Sequence, residues 1–163
     1  MTSSRCQPVS VRQPGRKAVR EWLSSASDKS DREVTAAIEA ASGSPLRAAE
    51  FLDSPELDTY SKVREGLATL LSRPGAVTEV ASRMEKLDPV NTWYWLSSCA
   101  GETARAVMQG KLPEWLPAGI QLDAKTLLQL QQQADNNRQL LATTVREDLK
   151  LQAWLITWIG QVV

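Results

Sequence analysis

Ser30-Asp31-Arg32-Glu33-Val34-Thr35-Ala36-Ala37-Ile38-Glu39-Ala40-Ala41-Ser42-Gly43-Ser44-Pro45 is the stretch whose reading decides the fold. Ser30 and Glu33 form a capping-box pair, in which the serine oxygen takes the Glu33 amide and the Glu33 carboxylate reaches back to the Ser30 amide. Val34, Ala37, Ile38 and Ala41 then recur at i, i+3, i+4 and i+7, one apolar face of a helix. Gly43 is expected to end that helix as its left-handed cap residue. Ser44 and Pro45 restart another as N-cap and first-turn proline. Upstream, residues 15–26 place Ala18, Val19, Trp22 and Leu23 on one face after the break at Gln13-Pro14-Gly15. Downstream, Leu46, Ala49, Phe51 and Leu52 continue the third helix. Three short helices with tight turns make one small unit over residues 14–53.

The same grammar repeats to the end of the chain. Ser54-Pro55-Glu56 opens a helix with Leu57, Tyr60, Val63, Leu67, Leu70 and Leu71 in register, ending at Arg73-Pro74-Gly75. A shorter helix carries Val77, Val80, Ala81, Met84 and Leu87. Asp88-Pro89 caps a helix holding Trp93, Tyr94, Trp95 and Leu96, which runs to about Gly110. Lys111 to Gln121, with two prolines and a glycine, reads as a loop. Asp123 caps a long helix with Leu127, Leu130, Ala134, Asn137 and Leu141. The last helix puts Leu151, Trp154, Leu155, Trp158 and Ile159 on one stripe. No alternating segment is longer than Gln7–Val11, which is a strand stub at most. The fold class expected is all-α: a three-helix unit over 14–53, a five-helix bundle over 54–163, and residues 1–13 as a preceding segment.

Composition excludes several classes of function. The chain has 163 residues and equal numbers of basic and acidic side chains, so no global field favours nucleic acid or an anionic membrane. No apolar run approaches the roughly 20 residues that span a bilayer. The absence of histidine removes Ser-His and Cys-His nucleophile pairs and the usual zinc ligand sets. Cys6 and Cys99 alone cannot hold a metal, and two distant cysteines suit a reducing, cytoplasmic setting. No glycine lies in a phosphate-binding loop pattern. Glu50 with Asp53, and Glu147 with Asp148, read as solvated helix-face charges rather than acid–base pairs. The expectation is a non-enzymatic chain with no cofactor, no metal, no small-molecule substrate and no membrane contact.

Six tryptophans are many for this length. They can fill helix-packing sites, or some can mark a subunit interface, where tryptophan is over-represented. Trp93 and Trp95 lie two residues apart on one helix, so the reading is that they cannot both face one core. One of them, or Tyr94, is expected to look toward a partner. Trp93, Tyr94, Trp95, Trp154 and Trp158 are therefore the candidate interface residues.

Near its start the chain carries Ser4-Arg5-Cys6-Gln7, and the helix junction Ser42-Gly43-Ser44-Pro45 follows. In this order and spacing these elements resemble the delta-prime subunits of the bacterial DNA polymerase III clamp loader. Lys17-Ala18-Val19-Arg20-Glu21-Trp22-Leu23 resembles that family's first lid helix. Ala36-Ala37-Ile38 and Arg47-Ala48-Ala49-Glu50-Phe51-Leu52 resemble the second and third. Trp95-Leu96 with Glu102-Thr103-Ala104-Arg105 is similar to a collar helix, and Asn137–Leu141 and Arg146–Leu149 to the final helices. The match is dense over residues 4–52 and mostly a pattern beyond.

The resemblance implies a lid over 14–53, a collar over 54–163, and a nucleotide-binding domain before residue 1. It further implies that Arg5 is an arginine finger acting in trans on a neighbouring subunit's ATP. The partners implied are the gamma/tau and delta subunits, with at most indirect contact with DNA. Relatives that bind ATP carry a sensor arginine where this chain has Leu46, with Arg47 one residue later and rotated by about 100°. That departure fits a delta-prime chain better than gamma or tau. Gamma or tau is one alternative, and a free-standing helical module with a ligand groove is the other. A large apolar pocket would favour the module, and an exposed apolar face would favour assembly.

Overall fold

The computed structural model describes residues 10, 12–141 and 146–161. All regular structure among them is helical: α1 Arg16–Ala26, α2 Asp31–Ala40, α3 Pro45–Leu52, α4 Glu56–Ser72, α5 Val77–Met84, α6 Pro89–Met108, α7 Ala124–Gln139 and α8 Glu147–Gly160. A single 3-10 turn, Pro74–Ala76, leads into α5. The chain divides into two compact units, Met1–Leu57 and Asp58–Val163. Ser4, Arg5, Cys6 and most of the Gln7–Val11 segment fall outside the described residues.

The first unit is built from short helices that approach closely. The capping box at α2 forms as its sequence predicts: Ser30 Oγ accepts from the Glu33 amide at 3.3 Å, and Glu33 Oε2 accepts from the Ser30 amide at 2.9 Å. Val19 and Leu23 of α1, Val34, Ala37 and Ile38 of α2, and Ala48, Phe51 and Leu52 of α3 form the core. Ala37 and Ala48 are fully buried, and their small side chains let α2 and α3 lie against each other. The face expected for α1 is narrower than its sequence suggested. Ala18 and Trp22 turn outward, and only Val19 and Leu23, four residues apart, point inward.

The second unit is organised around α6. Its buried residues are not confined to one stripe. Thr92, Trp93, Trp95, Leu96, Ser97, Cys99, Ala100, Gly101, Thr103 and Ala104 span about 240° of its circumference, as a helix with neighbours on two sides requires. Helix α7 packs along it, while α8 packs on α5 and α7. Gly101 makes the α6–α7 approach possible, because a Cβ there would lie 2.8 Å from the Gln131 side-chain amide. The N-termini follow the sequence signals. Asp88 accepts from the Asn91 amide at 2.8 Å, and Asp123 accepts from the Thr126 amide at 2.9 Å.

These caps set an acid limit on stability. Hydrogen bonds from Ser30, first from its side chain and then from its backbone, hold the Glu33 carboxyl below its ordinary 4.5. Thr126 does the same for Asp123, below 3.8. A carboxylate with a depressed folded value stabilises the fold fully above its unfolded value, and that contribution disappears as pH falls through the folded value. The melting temperature followed by circular dichroism is therefore expected to be flat from neutrality to about pH 5 and to fall between about pH 4 and 2. Asp123→Asn should flatten part of that acid limb. A melting temperature unchanged down to about pH 2.5 would refute the assignment.

Motif residues and a candidate assembly surface

The junction between α2 and α3 is the described part of the sequence motif. Gly43 N–H donates to the Ile38 carbonyl and Ser42 N–H to the Glu39 carbonyl, both at 3.0 Å. These nested bonds are a Schellman closure. The left-handed cap residue is Ser42, with φ of 51°, and Gly43 follows it at 82°. Gly43 is thus the second of two residues with positive φ, where the sequence reading made it the cap itself. Ser44 occupies the N-cap position of α3 with Pro45 at its first turn, but the Ser44 side chain makes no capping bond. Gln13 Nε2 donates to the Gly43 carbonyl at 3.0 Å, which ties the segment before α1 to this turn.

The tryptophans proposed as an outward surface are interior. Trp93 is 2% exposed and Trp95, Trp154 and Trp158 are fully buried. Both Trp93 and Trp95 are core because α6 is packed on two sides and not on one. About 200° apart around its axis, Trp95 meets Tyr60 of α4 at 4.8 Å between ring centroids. Trp93 Nε1 donates to Glu147 Oε2 of α8 at 3.2 Å. Tyr94, between them, is half-buried, with the Arg138 guanidinium 5.5 Å over its ring.

The indoles of α8 act as cross-ties. Trp154 Nε1 donates to the Leu130 carbonyl of α7 at 2.9 Å, and Trp158 Nε1 to the Leu67 carbonyl of α4 at 3.2 Å. Their rings stack with Trp115 of the α6–α7 loop in near-parallel planes, 5.8 Å and 6.5 Å apart by centroid. The Arg64 guanidinium caps the series, 4.9 Å over Trp115 and 5.1 Å over Tyr60. Sequence reading did not single out Arg64 or Trp115. Cys99 is buried in the same interior, and burial pushes its thiol far above the ordinary range, so it is no nucleophile.

What the sequence reading missed is the outer side of α8. Leu149, Ala153, Ile156 and Gly160 are all exposed, with Leu149 at 53% and Ile156 at 59%. Their spacing of four, three and four residues puts them within about 60° of arc, opposite the buried stripe of Leu151, Trp154, Leu155 and Trp158. Farther along the helix the flanking Gln152 and Thr157 carry no charge; charge beside the stripe is confined to the helix start, where Arg146 pairs with Asp148. A helix that is apolar on two opposite sides, with only one side covered, presents a surface suited to a further helix. The signal was available: Leu149 and Ile156 lie seven residues apart, off the core register.

Concave features are modest by comparison. One groove of ≈ 370 Å³ lies between α4 and α5, and another of ≈ 180 Å³ is lined by residues from Met84 to Trp93 and by Glu147, Asp148 and Leu151. Among the described residues no group of three or more histidine, cysteine or carboxylate side chains is placed to hold a metal. No described helix is long and apolar enough to cross a membrane. No family model, curated protein or solved structure matches the chain.

Proposed function

We propose that the chain is the lid and collar portion of a delta-prime subunit of a bacterial DNA polymerase III clamp loader. Its role there is to hold a fixed place in the loader ring by helix-on-helix packing. The complete loader uses ATP to open the sliding clamp and place it on primed DNA. The observation that carries the assembly part of this reading is the exposed, uncharged stripe of α8, Leu149-Ala153-Ile156-Gly160, on the side away from the core. The motif Ser4-Arg5-Cys6 and the junction at Ser42–Pro45 support the choice of family, and Leu46 at the sensor position supports delta-prime over gamma or tau. Arg5, in this reading, reaches the ATP of a neighbouring gamma or tau subunit, and the chain itself has no catalytic residue.

Sedimentation of the chain with gamma or tau and delta from the same source tests the reading. A co-sedimenting complex is expected, and the double substitution Leu149→Asp with Ile156→Asp should weaken it about a hundredfold or more, since two buried aliphatic contacts contribute about 1.5–3 kcal/mol each. Both side chains are exposed in the free chain, so the variant should retain its helical circular dichroism. A folded variant that assembles as well as the parent removes α8 from the contact. Absence of a complex where gamma or tau and delta themselves associate overturns the assembly reading.

A further inference from the structure

We propose that in the free chain the outer stripe of α8 pairs with the same stripe of a second copy, the two helices antiparallel about a two-fold axis that passes between Ala153 and Ile156. The pairing rests on the reading of α8 as an assembly surface but not on the choice of family. Partner subunits that bind the stripe more tightly would displace the second copy, so the apolar face stays covered until they arrive.

The stripe alternates large and small side chains. Leu149 and Ile156 stand well out into solvent, and Ala153 and Gly160, each one step farther along, are exposed as well. Spacings of four, three and four residues make a heptad seam, with both large residues on one of its two positions and both small residues on the other. Reversing the direction of the helix exchanges large for small. An antiparallel copy therefore sets Leu149 against Gly160 and Ala153 against Ile156, so that every aliphatic side chain enters a space left by a small one. A parallel copy in register would set Leu149 on Leu149 and Ala153 on Ala153, crowded at one level and open at the next.

Nothing inside the chain calls for glycine at position 160. It is the last residue of α8, and glycine is the poorest helix former after proline. Its φ is not positive, unlike those of Gly43, Gly110 and Gly119, so no left-handed turn needs it. A Cβ there would meet nothing within 4 Å, so no neighbour in the chain needs it either. A leucine arriving from a second copy does need that space. The charges agree with the antiparallel direction. Arg146, Glu147, Asp148 and Lys150 all lie at the start of α8, and the helix carries no charged side chain after Lys150. In an antiparallel pair each charged start lies beside an uncharged final turn, and the two helix dipoles oppose. A parallel pair would bring Asp148 to Asp148 and Arg146 to Arg146.

Sedimentation equilibrium of the full chain by itself tests the pairing. The contact is short, so a reversible dimer with a Kd of about 10–100 µM is expected. Ala153→Leu alters an exposed position and should keep its helical circular dichroism, but it sets leucine against the second copy's Ile156 and should raise the Kd about tenfold or more. Adding Ile156→Ala restores large against small and should bring the Kd back to within about threefold of the parent. Direction is read by mild oxidation in a Cys6→Ser background, where buried Cys99 does not interfere. Leu149→Cys mixed with Gly160→Cys should give a mixed disulfide. Leu149→Cys alone should give none, since the two copies of position 149 lie about 16 Å apart along the axis of the antiparallel pair. A chain that is monomeric up to about 500 µM, indifference to Ala153→Leu, no rescue by Ile156→Ala, or ready crosslinking of Leu149→Cys to itself overturns the proposal. A dimer from a chain that forms no complex with gamma or tau and delta upholds the pairing and overturns the assembly reading; a complex from a chain that is monomeric alone does the reverse.

Discussion

Trp158→Ala is expected to cost about 3–5 kcal/mol, as truncation of a large buried aromatic does, and to lower the melting temperature by tens of degrees. The side chain is fully buried in the second unit. Its ring lies between Trp115 and Trp154 in the stacked series, and its N–H reaches the Leu67 carbonyl across 91 positions of sequence. Alanine would remove the middle of the stack and leave a void between α4 and α8. Trp158→Phe separates the contributions: the ring survives but the N–H bond is lost, at about 1–2 kcal/mol for the bond and the small void together. Near-ultraviolet circular dichroism reports the stack, and thermal unfolding reports the stability. A fall of less than about 5 °C in the alanine variant would mean that Trp158 is not a cross-tie.

The same residue shows how far a sequence can be read. The register of Leu151, Trp154, Leu155, Trp158 and Ile159 announced a core stripe on α8; the first four are buried, and Ile159 is only partly covered. Local signals of this kind were legible wherever one side chain and its own backbone decide the outcome. The capping box at Ser30, the cap at Asp123 and the proline starts at Pro45 and Pro89 are examples. What failed was inference about how many sides of a helix are covered, because that depends on chain segments far away. Trp93 and Trp95 were set against each other by a one-sided picture of α6, and its two-sided burial follows only once α4 and α8 are in place. On α8 the reverse holds: the spacing of Leu149 and Ile156 marks a second face that a single-stripe reading does not include. The Schellman closure escaped because serine takes left-handed φ at Ser42, where glycine would be the default. The motif arginine Arg5 lies outside the described residues, so its placement rests on resemblance alone.

Leu23→Ala is the second large effect, and it acts in the first unit. Leu23 is 1% exposed and, with Val19, is the whole of α1's contribution to the core. That core is lean. Ala37, Ala40, Ala41 and Ala48 occupy buried positions where larger side chains would bury more area, and in exchange they let the helices pack closely. A unit this small holds a few kcal/mol of stability at most, while a buried leucine truncated to alanine costs about 2–5 kcal/mol. The two magnitudes are comparable, so the first unit should be largely unfolded in Leu23→Ala at 37 °C. Trp22→Ala, one residue earlier, removes more atoms but from a side chain 45% exposed, and should cost about 1 kcal/mol, well below Leu23→Ala. Amide exchange distinguishes the cases. Protection over Val34–Ala41 should collapse in Leu23→Ala and persist in Trp22→Ala. The reverse ranking would mean that α1 packs through the Ala18–Trp22 side that the sequence first suggested. If the assembly reading is right, Trp22→Ala also becomes the informative variant for partners of the first unit, since it alters the surface of α1 without loosening what holds α1 to α2 and α3.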